Sequence, residues 1–78
     1  MKSFDFSKIK SVHFIGIGGI SMSGLAKFCL ANGKTVSGSE VNFNSLTFKL
    51  QESGVKIFCG HFEENVMGKD LEIGRAHV

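Results

Sequence analysis

The feature that most constrains this chain is Gly16-Ile17-Gly18-Gly19, three glycines in four residues set between an apolar run and a stretch of helical periodicity. Glycines in that setting let a strand turn sharply into a helix. The run Val12-His13-Phe14-Ile15-Gly16-Ile17 is short and mostly apolar, which fits a strand buried on both faces in a parallel sheet. After the glycines, Met22, Leu25, Ala26 and Cys29 recur at steps of three and four, with Phe28 and Leu30 widening the stripe. That spacing predicts an amphipathic helix over 20–32. Gly24, one turn in, is expected to let the helix pack closely on the strand, and Gly33 to end it as a left-handed cap.

The pattern then repeats. Residues 34–39 carry Thr35 and Val36 between glycines and are long enough for a second strand. Asn44 or Ser45 can cap a second helix in which Leu46 and Leu50 lie one turn apart, with Phe43 as a staple residue and Gly54 as the terminator. Val55-Lys56-Ile57-Phe58-Cys59 reads as a third strand. Strand, helix, strand, helix, strand with short connections is an α/β pattern, the Rossmann-like βαβαβ half of a doubly wound parallel sheet. Residues 61–71 are polar, and a fourth strand would only be starting near Asp70, so the sheet is expected to be truncated before that strand. A chain of 78 residues holds one small domain at most. The expected division is a partial nucleotide-binding domain over 1–71 and a non-native tail over 72–78. The tail breaks the pattern where a hydrophobic strand is due and resembles translated adapter DNA.

Composition narrows the classes of function. The formal charge is only +2, and the lysines are scattered singly, so no basic stripe exists for a nucleic-acid backbone. No apolar run approaches the roughly 20 residues needed to span a bilayer, and residues 1–10 lack the apolar core of a secretory signal. The expectation is a cytoplasmic protein with neither nucleic acid nor membrane as partner. Cys29 and Cys59 lie in apolar stretches and read as reduced core thiols. His13, His61 and His77 share no metal-ligand spacing, so no protein-bound metal is expected, and His13 reads as a structural histidine within a strand. Gly33-Lys34-Thr35 superficially looks like the end of a Walker A loop, but Phe28 stands where that loop needs glycine. Lys34 reads instead as an exposed residue just past a helix end.

A glycine turn between strand and helix is the context for binding a diphosphate. Gly16 would permit the tight turn, while Gly18 and Gly19 would let the backbone approach the phosphates. The N–H groups of Ile20, Ser21, Met22 and Ser23, at the positive end of the helix dipole, would be free to donate. Such a site needs no cationic side chain. Ser21 stands where a dinucleotide fold prefers Gly or Ala. Glu40 follows the turn by roughly twenty residues, at the end of the second strand, where a carboxylate can accept from a ribose hydroxyl. On these residues alone the chain could equally be an NAD-binding module of an oxidoreductase or a stand-alone nucleotide-binding protein.

The run His13-Phe14-Ile15-Gly16-Ile17-Gly18-Gly19-Ile20-Ser21-Met22-Ser23-Gly24-Leu25-Ala26 closely resembles the opening motif of the UDP-N-acetylmuramate:L-alanine ligases of the Mur ligase family. The resemblance continues through Val36-Ser37-Gly38-Ser39-Glu40, through Ser45, Thr47, Leu50 and Gly54, and through Lys56-Ile57-Phe58 to Gly60-His61 and Glu64-Asn65-Val66. Two positions depart from it: Ser21 replaces a usual Gly, and Glu40 a usual Asp. The resemblance implies the first domain of a three-domain peptidoglycan-synthesis ligase, Rossmann-like yet holding the UDP part of UDP-N-acetylmuramate. It further implies that ATP and magnesium bind on a second domain outside this chain, where the muramyl carboxylate is activated as an acyl phosphate, and that a third domain helps bring in the amino acid. In this chain it places Gly16, Gly18, Gly19, Ile20, Ser21, Met22 and Ser23 at the UDP diphosphate. Glu40, Thr47 and His61 would lie near the ribose or uracil. No residue here is expected to be catalytic, no cofactor is expected within the fragment, and the chain alone is expected to be inactive without its ATPase and C-terminal domains.

Overall fold

The computed structural model describes residues 5–61 and 68–74. A short 3-10 helix (Phe6–Lys8) precedes β1 (Ser11–Ile15), α1 (Ile20–Ala31), β2 (Thr35–Glu40), α2 (Ser45–Glu52), β3 (Lys56–Cys59) and β4 (Leu71–Ile73). The four strands form one sheet in the order β3-β2-β1-β4, and every pairing is parallel. The α/β architecture read from the sequence is therefore present, with helix and strand limits displaced by one or two residues.

The fourth strand corrects the expectation that the sheet stops before it. Leu71-Glu72-Ile73 pairs with Val12-His13-Phe14 on the free side of β1. What fixes it is polar and lies at its start. The Asp70 carboxylate accepts from the backbone N–H groups of Lys10 at 2.7 Å and Ser11 at 3.1 Å, and the Asp70 N–H donates to Ser11 Oγ at 2.9 Å. Those two N–H donors hold the Asp70 carboxyl below the usual carboxylate range. Two of the residues assigned to a tail, Glu72 and Ile73, thus belong to the sheet, while residues 75–78 lie outside the described residues, as do Glu64, Asn65 and Val66.

Side chains alternate between the two faces of the sheet. Val12, Phe14 and Val36 join Ile17, Ala26 and Cys29, Leu50 and Val55 in one buried cluster beneath the helices, with Met22, Leu30, Ile57, Leu71 and Ile73 packed against it. The opposite face carries His13, Ser37 and Ser39, all buried, so β1 is covered on both sides as its apolar run implies. Gly38 sits opposite Phe14 on the helix face, and a Cβ there would stand 2.6 to 2.9 Å from Ile17 side-chain carbons. Only glycine lets Ile17 cross β2 at that point.

The terminators match the sequence reading. Gly33 and Gly54 adopt φ of 79° and 106° just past the two helices, and Phe43 stacks edge-on against Phe48 at 6.0 Å, the staple one residue before the cap and four into α2. Three expectations fail. A Cβ on Gly24 would meet nothing within 4 Å, so that glycine does not serve helix-to-strand packing. Cys29 is buried but Cys59, at the end of β3, is exposed. Lys34 is half-buried and not a loose surface residue: its Nζ donates to Phe6 O at 2.9 Å and lies 4.3 Å from the Phe6 ring, pinning the 3-10 helix to the end of α1.

Candidate functional site

The chain leaves β1 for β2 on one side, while β4 occupies the other, so the sheet order reverses at β1. In open parallel sheets this is the position where ligands bind, outside the carboxyl ends of the strands. The glycine turn lies there. Gly16 takes φ of 77°, a conformation that favours glycine, and the N–H groups of Gly16 and Ile17 both donate to Ser39 O, at 2.9 and 3.2 Å. The turn is thereby tied to the end of β2.

Accounting for each backbone donor of the turn shows what is left for a ligand. Gly18 N–H donates to Glu40 Oε1 at 3.0 Å, and Gly19 N–H to Gly16 O at 3.2 Å. Ser23 N–H closes the first helical bond to Gly19 O at 2.8 Å, and its hydroxyl donates to Ile20 O at 2.9 Å. Ser23 is therefore not a free donor, contrary to the sequence reading. Gly19 is the helix N-cap, with ψ of 152° and no side chain capping it. The N–H groups of Ile20, Ser21 and Met22 are left without an acceptor among the described residues, at the positive end of a twelve-residue helix.

The three glycines turn out to have different reasons for being there. Gly16 serves backbone conformation. A Cβ on Gly18 would stand 2.5 Å from Glu40 Oε1 and 3.2 Å from Thr47 Cγ2, so any other residue at 18 would push the Glu40 carboxylate aside and crowd Thr47. At Gly19, φ is −71° and a Cβ would meet only Gly16 O at 3.7 Å, an ordinary contact. Nothing among the described residues demands glycine at 19.

Glu40 and Thr47 lie against Gly18, while His61 lies on the other face of the sheet, paired with Ser39, and the three have different roles. Glu40 is half-buried, with Oε1 on Gly18 N–H and Oε2 accepting from Val41 N–H at 3.3 Å. Thr47 is fully buried, and its hydroxyl accepts from Asn44 N–H at 2.8 Å and donates to Asn44 O at 2.7 Å, half of the capping box of α2. It supports the site from below and offers no donor to a ribose. His61 is exposed and pairs through Nδ1 with Ser39 Oγ at 2.5 Å, next to the carbonyl that holds the turn. Asn44 was legible in sequence only as a helix cap. In the fold its Oδ1 accepts from Leu46 and Thr47 N–H while its Nδ2 donates to Gly18 O at 3.2 Å. On the opposite face His13 Nδ1 pairs with Ser37 Oγ at 2.9 Å, and burial, then the Lys69 charge, push its pKa down.

Lys34 is committed to Phe6, and no group of three His, Cys, Asp or Glu side chains that could hold a metal occurs among the described residues. No helix among them is long and apolar enough to cross a membrane.

A UDP-N-acetylmuramate:L-alanine ligase of Acetivibrio thermocellus is 54% identical over 74 residues, covering 95% of this chain and 16% of its own length. The corresponding ligase of Clostridium botulinum is 51% identical over 78 residues, 97% of this chain and 17% of its own length. Among solved structures, the UDP-N-acetylmuramate-alanine ligase MurC of Thermotoga maritima superposes with a TM-score of 0.77 at 39% identity, over 85% of this chain and 15% of that one. A murein peptide ligase from Psychrobacter arcticus gives 0.78 at 31% identity, over 83% and 14%. The chain thus spans about a sixth of the length of the curated relatives it matches. The Mur ligase family, catalytic domain, matches residues 11–78, and with the parallel sheet and the glycine turn at its reversal point, the chain belongs to the Mur ligase family.

Proposed function

We propose that this chain is the UDP-binding part of an ATP-dependent ligase that joins L-alanine to UDP-N-acetylmuramate in peptidoglycan synthesis, acting in the cytoplasm. The observation that carries the reading is the trio of N–H groups at Ile20, Ser21 and Met22 that have no acceptor among the described residues, at the head of α1 and beside the reversal point of the sheet. Three oriented donors and a helix dipole hold a diphosphate without a cationic side chain. The relatives named for this reaction supply the substrate. Glycine at 19, which packing does not explain, fits a backbone that a phosphate must approach closely.

Ser21 presents its hydroxyl at this rim, exposed, where a further donor to the diphosphate is available. Glu40 braces Gly18 and is placed to accept from a ribose hydroxyl through its remaining lone pairs. His61, paired with Ser39 beside the carbonyl that holds the turn, is read as lying toward the ribose or uracil. ATP and magnesium would be bound by parts of the longer protein outside these residues, so the chain itself binds and orients one substrate and performs no bond-making step. Neither nucleic acid nor a membrane is a partner in this reading.

The competing reading, an NAD-binding module, shares the turn and Glu40. Calorimetric titration with UDP-N-acetylmuramate and with NAD separates them. Binding of the UDP-sugar that excess NAD does not displace is expected; tighter binding of NAD would overturn the proposal.

A further inference from the structure

The peptide joining Gly18 to Gly19 lies immediately before the three free N–H groups, and its orientation decides whether a carbonyl or an amide faces the incoming anion. Rotating a peptide plane changes ψ of the first residue and φ of the second. Both residues here are glycine, so sterics alone hold this plane weakly. Its N–H end is fixed within the turn by Gly16 O at 3.2 Å. Its carbonyl end is fixed by one side chain, Asn44, whose Nδ2 donates to Gly18 O at 3.2 Å across 26 residues of sequence.

We propose that Asn44 is a positioning residue for the nucleotide site: its amide holds the Gly18 carbonyl away from the diphosphate and keeps the head of α1 a pure donor surface. The proposal rests on the UDP-binding reading above. Asn44 is suited to the task because its own position is set independently. Oδ1 is held by Leu46 N–H at 2.9 Å and Thr47 N–H at 3.1 Å, which orients the amide plane and aims Nδ2 at the turn. Glu40 grips the preceding peptide of the same residue from the N–H side. The β2–α2 connection thus holds Gly18 by both of its backbone polar groups, and α2 is coupled to the phosphate turn through its cap.

The two functions of Asn44 can be separated. Ser caps helices about as well as Asn but is too short to reach Gly18 O, so Asn44→Ser should keep α2 and lose the lock. The expected result on the full chain is a thermal midpoint close to wild type, faster amide exchange at Gly19, and UDP-N-acetylmuramate affinity weaker by about five- to tenfold, the loss of one hydrogen bond. Asn44→Asp keeps the cap but replaces the donor with an acceptor, and should weaken binding further while moving the Gly19 amide resonance. If wild type binds and Asn44→Ser binds equally well, or Gly19 exchange is unchanged, the positioning role is overturned and the UDP-binding reading stands. If wild type does not bind the UDP-sugar, both fall together.

Discussion

Glu40 Oε1 lies 3.0 Å from the Gly18 nitrogen, and a Cβ on Gly18 would come within 2.5 Å of the same oxygen. The acidic residue of β2 and the central glycine of the turn are therefore fitted to each other before any nucleotide arrives. Gly18→Ala should displace the carboxylate and press on buried Thr47, destabilising the chain by about 1–3 kcal/mol. Glu40→Ala should cost about 1–3 kcal/mol by leaving the Gly18 N–H unpaired. Because the two changes remove the same contact, the double variant should lose clearly less than the sum. Additive losses in urea denaturation would show that the pair is not coupled.

A second glycine is needed for a reason unrelated to ligand. Gly38→Ala would place a methyl 2.6 Å from Ile17 Cδ1 and 2.8 Å from Ile17 Cβ, both inside the core. The expected cost is about 1–3 kcal/mol, or roughly 4–8 °C of thermal midpoint per kcal/mol in a chain of this size. Trimming Ile17 to Val should not restore it, since Cβ and Cγ2 remain in the way. A Gly38→Ala chain with an unchanged midpoint would contradict the packing.

These pairs mark where sequence reading succeeds and where it stops. The strands, helices and their order, the glycine turn and the Phe43 staple follow from local periodicity and punctuation, because each element depends on residues close to one another in sequence. Gly38 against Ile17, Asn44 on Gly18 and Asp70 on Lys10 and Ser11 join residues 21 to 60 apart in sequence, and the residue types alone do not announce the partner. Leu71-Glu72-Ile73 is too short for its alternation to stand out. Lys34 and Cys59 differ from the sequence expectation for the same cause: where each is placed depends on distant segments, not on neighbours in the chain. The donor accounting that removes Ser23 from the site likewise needs to know where α1 starts.

His13 makes stability depend on pH. Its pKa is lowered by burial first and then by Lys69, with His61 acting in the same direction and Glu72 opposing, while Ser37 holds Nδ1. A histidine whose folded-state pKa is depressed is kept neutral by folding, so its contribution is full above the ordinary value of 6.5 and is lost as pH falls below it. The thermal midpoint should fall between pH 7.5 and pH 5. His13→Asn, which keeps a polar contact to Ser37 without a titrating ring, should flatten that dependence. An equally steep profile in the variant would assign it to another group.

Gly19 separates binding from folding more cleanly than Gly18 does. With φ of −71° and no contact nearer than 3.7 Å for an added Cβ, Gly19→Ala should still fold, its stability within about 1 kcal/mol of wild type, because the cost of alanine at a helix N-cap is offset by a stiffer unfolded chain. Its affinity for UDP-N-acetylmuramate should fall by tenfold or more, because the methyl would stand where the backbone must meet phosphate. Unchanged affinity in calorimetry would remove Gly19 from the site.

The most direct test of the central claim is a titration of the chain with UDP-N-acetylmuramate, followed by the backbone amide resonances in a nitrogen–proton correlation spectrum. The three unpaired N–H groups at the head of α1 should respond first and most: Ile20, Ser21 and Met22 are expected to shift downfield as they bond the diphosphate, with smaller changes at Glu40 and His61. Saturating shifts confined to other residues, or none at those three amides, would contradict the assignment of the glycine turn as the UDP site.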